Sequence, residues 1–240
     1  KTTAKKIVYF IPPIILYAIL RYIALGKYFL SNDATAIYNP IKFVSFFSGL
    51  WTSFKVFYLY IEKTFYPLSL SSDYSSDQIS LVSNPLTSVE AMSGIAIIGL
   101  LIFLFFKTKD LLLRSGILIF LASYFVVSNW VFKTGTMMAE RLMYTPSLGL
   151  AIMAAAIIQN VKIKNSSPEA RPKFYILIFT FLILFIWYGY LIIDRNKDWL
   201  NNKNLYESAY ASAPDSIVNQ TNRAYLDFIA GNYDEAGRRL

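Results

Sequence analysis

Long runs of apolar residues, almost free of charge, dominate the chain as far as residue 193. They cover 7–25, 91–106, 111–132, 142–161 and 174–193. Each is close to the roughly 20 residues an α-helix needs to cross a hydrocarbon core about 30 Å thick. They predict membrane-spanning helices rather than the amphipathic helices or alternating strands of a soluble domain. A further apolar and aromatic segment, 41–66, is interrupted by Lys42, Ser45, Ser48, Thr52, Ser53, Lys55, Glu62 and Lys63. Polar groups at that density suit the membrane interface. The segment is expected to lie in the interface or re-enter as a hairpin, and not to cross once as a simple span.

After residue 197 the long apolar runs stop, and Asn, Asp, Ala and Tyr become frequent. Residues 202–213 read as a helix with Leu205, Tyr206 and Tyr210 at helical spacing. Pro214 closes it, and Asp215 or Ser216 can cap the next helix. Residues 219–230 set Ala224, Leu226, Phe228 and Ile229 around that second helix, and 231–236 form a turn and the start of a partner. Ala224 and Ala236 allow close antiparallel approach, and Gly231 suits the left-handed turn. This is the pattern of a tetratricopeptide (TPR) repeat of about 34 residues; an ordinary helical hairpin is the alternative. One repeat cannot bury its own face, so further repeats are expected beyond Leu240. The chain therefore reads as all-α. A polytopic helical membrane domain (1–196) leads into the start of a TPR α-solenoid (197–240). Because it opens without methionine, enters a span at once and ends inside a repeat, it is expected to be a fragment of a longer protein.

Composition narrows the chemistry. Only 16% of the 240 residues are charged, against about 25% in an average soluble domain. Neither cysteine nor histidine occurs. That removes disulfides and thiolate metal sites, and also the commonest general base and zinc ligand, from these residues. Carboxylates, Arg, Lys, Tyr, Ser and Thr are what remain. The net charge of +8 is concentrated beside the apolar runs, which fits contact with a lipid bilayer; no basic stripe points to nucleic acid as a partner. Lys1, Lys5 and Lys6, then Lys107, Lys109 and Arg114, then Lys162, Lys164, Arg171 and Lys173 mark three connectors as cytoplasmic. The loop 69–80, the connector 133–141 and the tail then share the outer face. Since the chain has no cysteine of its own, single cysteines placed at Ser166 and Ser212 are expected to react with a membrane-impermeant thiol reagent from opposite sides. Labelling of both from one side would overturn this topology.

Three outer-face stretches are more polar than their surroundings. Arg21-Tyr22 with Lys27 ends the first apolar run, as snorkelling interface residues also would. The loop 67–80, PLSLSSDYSSDQIS, carries Asp73 and Asp77. It reads either as a site for a divalent metal or a sugar hydroxyl, or as a solvated serine-rich loop. In 128–149, SNWVFKTGTMMAERLMYTPSLG, Glu140 and Arg141 stand where a span begins. On a helix Met137, Arg141 and Tyr144 would project from one side, and Pro146 would free the carbonyl of Leu142 and kink the helix. An ionisable pair at such a place marks a substrate path or an ion pair that fixes packing. The planar fork of Arg suits a phosphate.

Taken in order, Asn39-Pro40, the aromatic segment, P-L-S-L-S-S-D-Y-S from Pro67, Ser128-Asn129, M-A-E-R-L-M-Y-T-P-S-L-G from Met138, a final span and Trp199 form one string of motifs. This string and the tail resemble the transmembrane-and-TPR-containing O-mannosyltransferases and their microbial relatives, polytopic glycosyltransferases of the GT-C class. The resemblance implies transfer of a sugar from a polyprenyl-phosphate donor to an acceptor on the outer or lumenal face, a Ser or Thr hydroxyl in eukaryotic members. It also implies a carboxylate that deprotonates the acceptor, usually in the first outer loop, which here would lie upstream of Lys1; no catalytic base is assigned within the chain. Arg141 is expected to hold the donor phosphate, with Glu140 orienting it. Tyr144 and Asp73 are expected to line the donor or acceptor pocket, and the tail to recruit the acceptor protein. The lipid-linked sugar is the only cosubstrate implied, with a divalent metal as an option. Frequent Lys, Ile and Asn favour a bacterial plasma membrane, or else the endoplasmic reticulum membrane, where the sequon Asn219-Gln220-Thr221 would matter. Two other readings stay open. One is a non-catalytic membrane anchor displaying TPRs. The other is an O-antigen ligase or polymerase type enzyme, which typically relies on a histidine that this chain lacks.

Overall fold

A computed structural model describes residues 11–26, 35–164 and 171–240, and the regular structure among them is entirely helical. The chain divides into two compact units between Asp33 and Ala34. The first holds helix α1 (Ile11–Leu25), where Arg21 Nη1 donates to the Tyr17 hydroxyl one turn earlier at 2.8 Å. Residues 7–10 of the first predicted span, and Lys27, lie outside the described residues, as does Ser166.

The second unit contains helices α2 (Phe46–Phe65), α3 (Val89–Lys107), α4 (Leu111–Val127), α5 (Tyr144–Lys164) and α6 (Arg171–Asn196), then α7 (Asn202–Ser212), α8 (Ile217–Ile229) and α9 (Tyr233–Arg239). Three stretches, Val89–Lys107, Glu140–Asn160 and Ile178–Trp199, are helices long and apolar enough to cross a membrane, and the protein is an integral membrane protein.

At one end of these helices, Asp110 caps α4 through the N–H groups of Leu112 and Leu113 and receives a hydrogen bond from Asn160. The basic connector at Lys107 and Lys109 therefore sits at the end of α5 that lies roughly 24 Å from Tyr144, at 1.5 Å per residue. α4 and α5 approach backbone to backbone at Gly116 and Gly149. Such close approach is how small residues join helices where lipid offers no hydrophobic drive.

α2 is one unbroken helix, not a hairpin, and a 310 turn (Pro40–Phe43) precedes it. Its polar side chains are ties to the chain that follows. The Ser48 hydroxyl donates to the Val82 carbonyl (2.9 Å), and Thr52 accepts from Val82 N–H (2.9 Å). Lys55 donates to Ser80 (2.7 Å) and Lys63 to the Ser69 carbonyl (2.6 Å). The loop after α2 thus runs back along the whole helix. On the other side Phe57 and Tyr60 pack edge-on against Tyr124 at 4.8 and 6.0 Å between ring centres, with Phe120 completing a buried aromatic cluster.

The apolar run 111–132 is helical only to Val127, shorter than its composition predicts. Asn129 ends it. Its φ of 59° is left-handed, a conformation that asparagine tolerates better than most residues. Its Oδ1 accepts from Asn39 Nδ2 (2.9 Å), Thr134 N–H (2.7 Å) and the Thr134 hydroxyl (3.1 Å), while its Nδ2 donates to the carbonyls of Thr136 and Met137. Asn129→Ala is expected to cost about 3 kcal/mol or more, since several buried polar groups lose partners at once. Asn129→Asp keeps the acceptor oxygen but sets a second carboxylate oxygen against the Thr136 and Met137 carbonyls, and should cost as much or more. Thermal unfolding of the purified protein in detergent measures both; equal, small shifts would remove Asn129 from this role.

In the tail, Ser216 is the cap of α8, accepting from Asn219 N–H, and Gly231 at φ 84° makes the turn into α9. Ala224 and Ala236 are buried where those helices meet. Arg239 joins α9 back to Asp227 (2.7 Å) and to the Tyr210 hydroxyl (2.9 Å).

Candidate functional site

The loop 67–80 is where the membrane helices and the tail are joined. Ser71 stands at its centre. Its N–H donates to Glu140 Oε1 (2.9 Å) and its hydroxyl to the carbonyl of Ala209 on α7 (3.2 Å). Tyr74 also donates its hydroxyl to Glu140 Oε1. Burial, and then that contact with Glu140, push the Tyr74 hydroxyl well above the ordinary phenol value, so it stays a proton donor through neutral and alkaline pH. On its far side the loop meets the start of α8: Asp77 N–H donates to Asp215 O (2.9 Å) and Ile217 N–H to Ser76 O (2.7 Å). The Ser75 and Ser216 hydroxyls are 2.9 Å apart.

Beside this junction lies a cavity of about 720 Å³, within the range of small-molecule sites. Its walls come from the end of α2 and the following loop (Thr64, Leu68), the turn leading into α5 (Arg141) and the start of α5 (Tyr144), the end of α6 (Tyr188, Arg195) and α7 (Ser208). The Tyr188 hydroxyl donates to the Thr64 and Phe65 carbonyls (3.2 and 3.0 Å), which holds α6 against the end of α2. Leu70, Met143, Leu191 and Ile192 make part of the lining apolar.

The charges on this wall are mostly spoken for. Arg195 pairs with Asp198 (2.6 Å) and donates to Ser208 (2.8 Å); Asp194 pairs with Lys197 (2.7 Å). Glu140 is held by Ser71 and Tyr74. Arg141 is different: it is exposed, and among the described residues it has no hydrogen-bond or ion-pair partner. Glu140 and Arg141 thus share the wall without forming an ion pair with one another.

Glu140, Arg141 and Tyr144 all line the cavity. Asp73 does not. Its Oδ1 accepts from Ser75 N–H (2.7 Å) and the Ser216 hydroxyl (2.9 Å), so it fastens the loop to the tail. No three Asp or Glu side chains converge among the described residues. Met137 is fully buried in the extended connector, with its N–H on the Tyr38 carbonyl, and shares no helix face with Arg141. Helix begins only at Glu140, as a 310 turn (Glu140–Met143). Pro146 accordingly falls in the first turn of α5, where no N–H donor is needed. Asn219 of the sequon is completely buried, so the folded chain leaves it no access to a modifying enzyme. Tyr188, Arg195, Asp198 and Ser208 were not singled out from the sequence. The cluster of charges just after the last apolar run, Asp194-Arg195-Asn196-Lys197-Asp198, was the available signal.

The chain is similar to three curated proteins. Protein O-mannosyl-transferase Tmtc2 of Drosophila melanogaster is 31% identical over 122 residues, covering 50% of this chain and 12% of that protein. Protein O-mannosyl-transferase F38B6.6 of Caenorhabditis elegans is 24% identical over 184 residues, 75% of this chain and 25% of that protein. Protein O-mannosyl-transferase tmtc2 of Xenopus laevis is 30% identical over 87 residues, 36% of this chain and 10% of that protein. The matches thus span a quarter or less of each relative. No family model matches the chain, and no solved structure does.

Proposed function

We propose that this chain is part of a membrane glycosyltransferase of the GT-C type, related to protein O-mannosyltransferases, and that the cavity at Arg141 takes the phosphate of a polyprenyl-phosphate sugar. The observation that carries the reading is the unpartnered Arg141 guanidinium on a partly apolar wall where the membrane helices meet the tail. An anionic headgroup on an isoprenoid chain needs both a fork of donors and an apolar surround. The names of the three relatives supply the reaction class.

The parts then divide the work. Arg141 binds and orients the phosphate, and Tyr144 flanks it. Glu140 is a fixed post that ties the loop 67–80 to the start of α5. The tail is the start of a TPR array that presents the acceptor protein, and its first helix contributes Ser208 and Ser212 to the cavity. We place the carboxylate that takes the acceptor's proton outside this chain. The cavity opens toward the outer or lumenal face. Support for that side is the distribution of charge: the basic connector at Lys107 and Lys109 lies at the opposite end of α5. α2 lies in the interface, its polar residues being spent on the outer loop.

The test is sugar transfer by the complete protein in membranes, with labelled polyprenyl-phosphate mannose and other sugars, and Ser/Thr-containing acceptors. Transfer is expected. Its absence with every sugar, in protein shown to be inserted, would overturn the enzyme in favour of a membrane-anchored scaffold.

A further inference from the structure

Asn219 sets its amide nitrogen among acceptors from both the loop and the tail. It is fully buried, and its Nδ2 lies 3.1 Å from the Ser71 hydroxyl, 3.2 Å from the Asp73 carbonyl, and 3.1 and 3.0 Å from the carbonyls of Ala209 and Ala213. Four acceptors from the loop and from the end of α7 thus converge on one amide nitrogen. Its Oδ1 has no partner among the described residues, so the group is present for what it donates. A buried donor in that position is costly to lose, because the carbonyls around it are left without water.

The bonds continue beyond the tail. Ser71, which receives the Asn219 bond on its hydroxyl, gives its own N–H to Glu140 Oε1, one residue from Arg141. Two residues therefore connect the middle of the tail's hairpin to the start of α5.

We propose that Asn219 is a positioning residue for the cavity, acting through Ser71 on Glu140, so that the first hairpin of the tail and the wall bearing Arg141 move as one body. What engages the tail would then be felt at the donor site. The structural half of this inference stands alone; its kinetic half rests on the donor-site reading above.

The test is hydrogen exchange on the complete protein in nanodiscs, comparing wild type with Asn219→Ala and Ser71→Ala. Ser71→Ala removes the hydroxyl but keeps the N–H to Glu140, and it serves if Asn219→Ala fails to fold. Thr221→Ala destroys the sequon without touching Asn219 and is expected to change nothing. Exchange in peptides covering 67–80 and 138–144 is expected to quicken about tenfold in both relay variants. Faster exchange confined to 202–230 would overturn the proposal. In transfer assays, the KM for the lipid-linked sugar should rise about tenfold while kcat at saturating donor stays near wild type. Loss of activity only in proportion to protein lost would mean that Asn219 merely stabilises the tail. A wild-type protein with no transferase activity would sink the donor-site reading but leave the exchange result to decide the relay.

Discussion

Arg141→Ala is expected to lower sugar transfer about a hundredfold or more while leaving the amount and insertion of the protein unchanged. Both halves follow from its surroundings. The side chain is exposed and has no partner among the described residues, so removing it breaks no contact that holds the fold. A phosphate bound by its fork would lose two charge-assisted hydrogen bonds, each worth roughly 1.5–3 kcal/mol, and about 1.4 kcal/mol is a tenfold change. Arg141→Lys keeps the charge but not the fork and should fall between. Steady-state transfer and direct binding of the labelled donor read the two effects. If Arg141→Ala transfers normally, the phosphate sits elsewhere. Arg195 is then the next candidate, although its charge is already balanced by Asp198.

The largest structural effect is expected at Gly94. A Cβ there would lie 2.1 Å from the carbonyl oxygen of Phe54, far inside van der Waals contact and against backbone that cannot swing away. Gly94→Ala should force α2 and α3 apart, at a cost above about 3 kcal/mol. The damage should reach the cavity. α2 carries Tyr60, whose hydroxyl accepts from Ala139 N–H (2.8 Å) and donates to the Ala139 carbonyl (3.1 Å), directly before Glu140. Gly99→Ala on the same helix is the control, since nothing lies within 4 Å of a Cβ built there. Thermal unfolding in detergent should separate the two variants clearly. Equal stability would mean that the helix crossing is looser than it stands here.

Local pattern made much of this legible. Apolar runs of near-membrane length marked α3, α5 and α6, and the tail helices followed from spacing and from Pro214, Ser216 and Gly231. Glu140, Arg141 and Tyr144 stood out because charge is expensive at the edge of a span. What the pattern did not carry were bonds between distant segments. Asn129 stops α4 by gathering Asn39 and the 134–137 turn, and hydrophobicity alone runs straight past it to Phe132. Asp73 has no visible partner in sequence and was open to a ligand or a solvated reading; the fold gives it Ser216, 143 residues away. Arg195 and Asp198 are only three residues apart, but Ser208, which bonds both, comes from α7 and is brought to them by the fold.

The shared hydrogen bonds of the loop and the tail bear on modularity. By composition, membrane body and tail part near residue 197; by folding, they do not part until after the α7–α8 hairpin, because Ser208 and Ser212 wall the cavity and Ser216 and Asn219 seat the loop. A chimaera that borrows another protein's helical tail at the compositional border would therefore inherit a mismatched seat. Grafting should succeed only when the junction is moved past α8, or when the donor of the new tail also contributes its own version of residues 67–80.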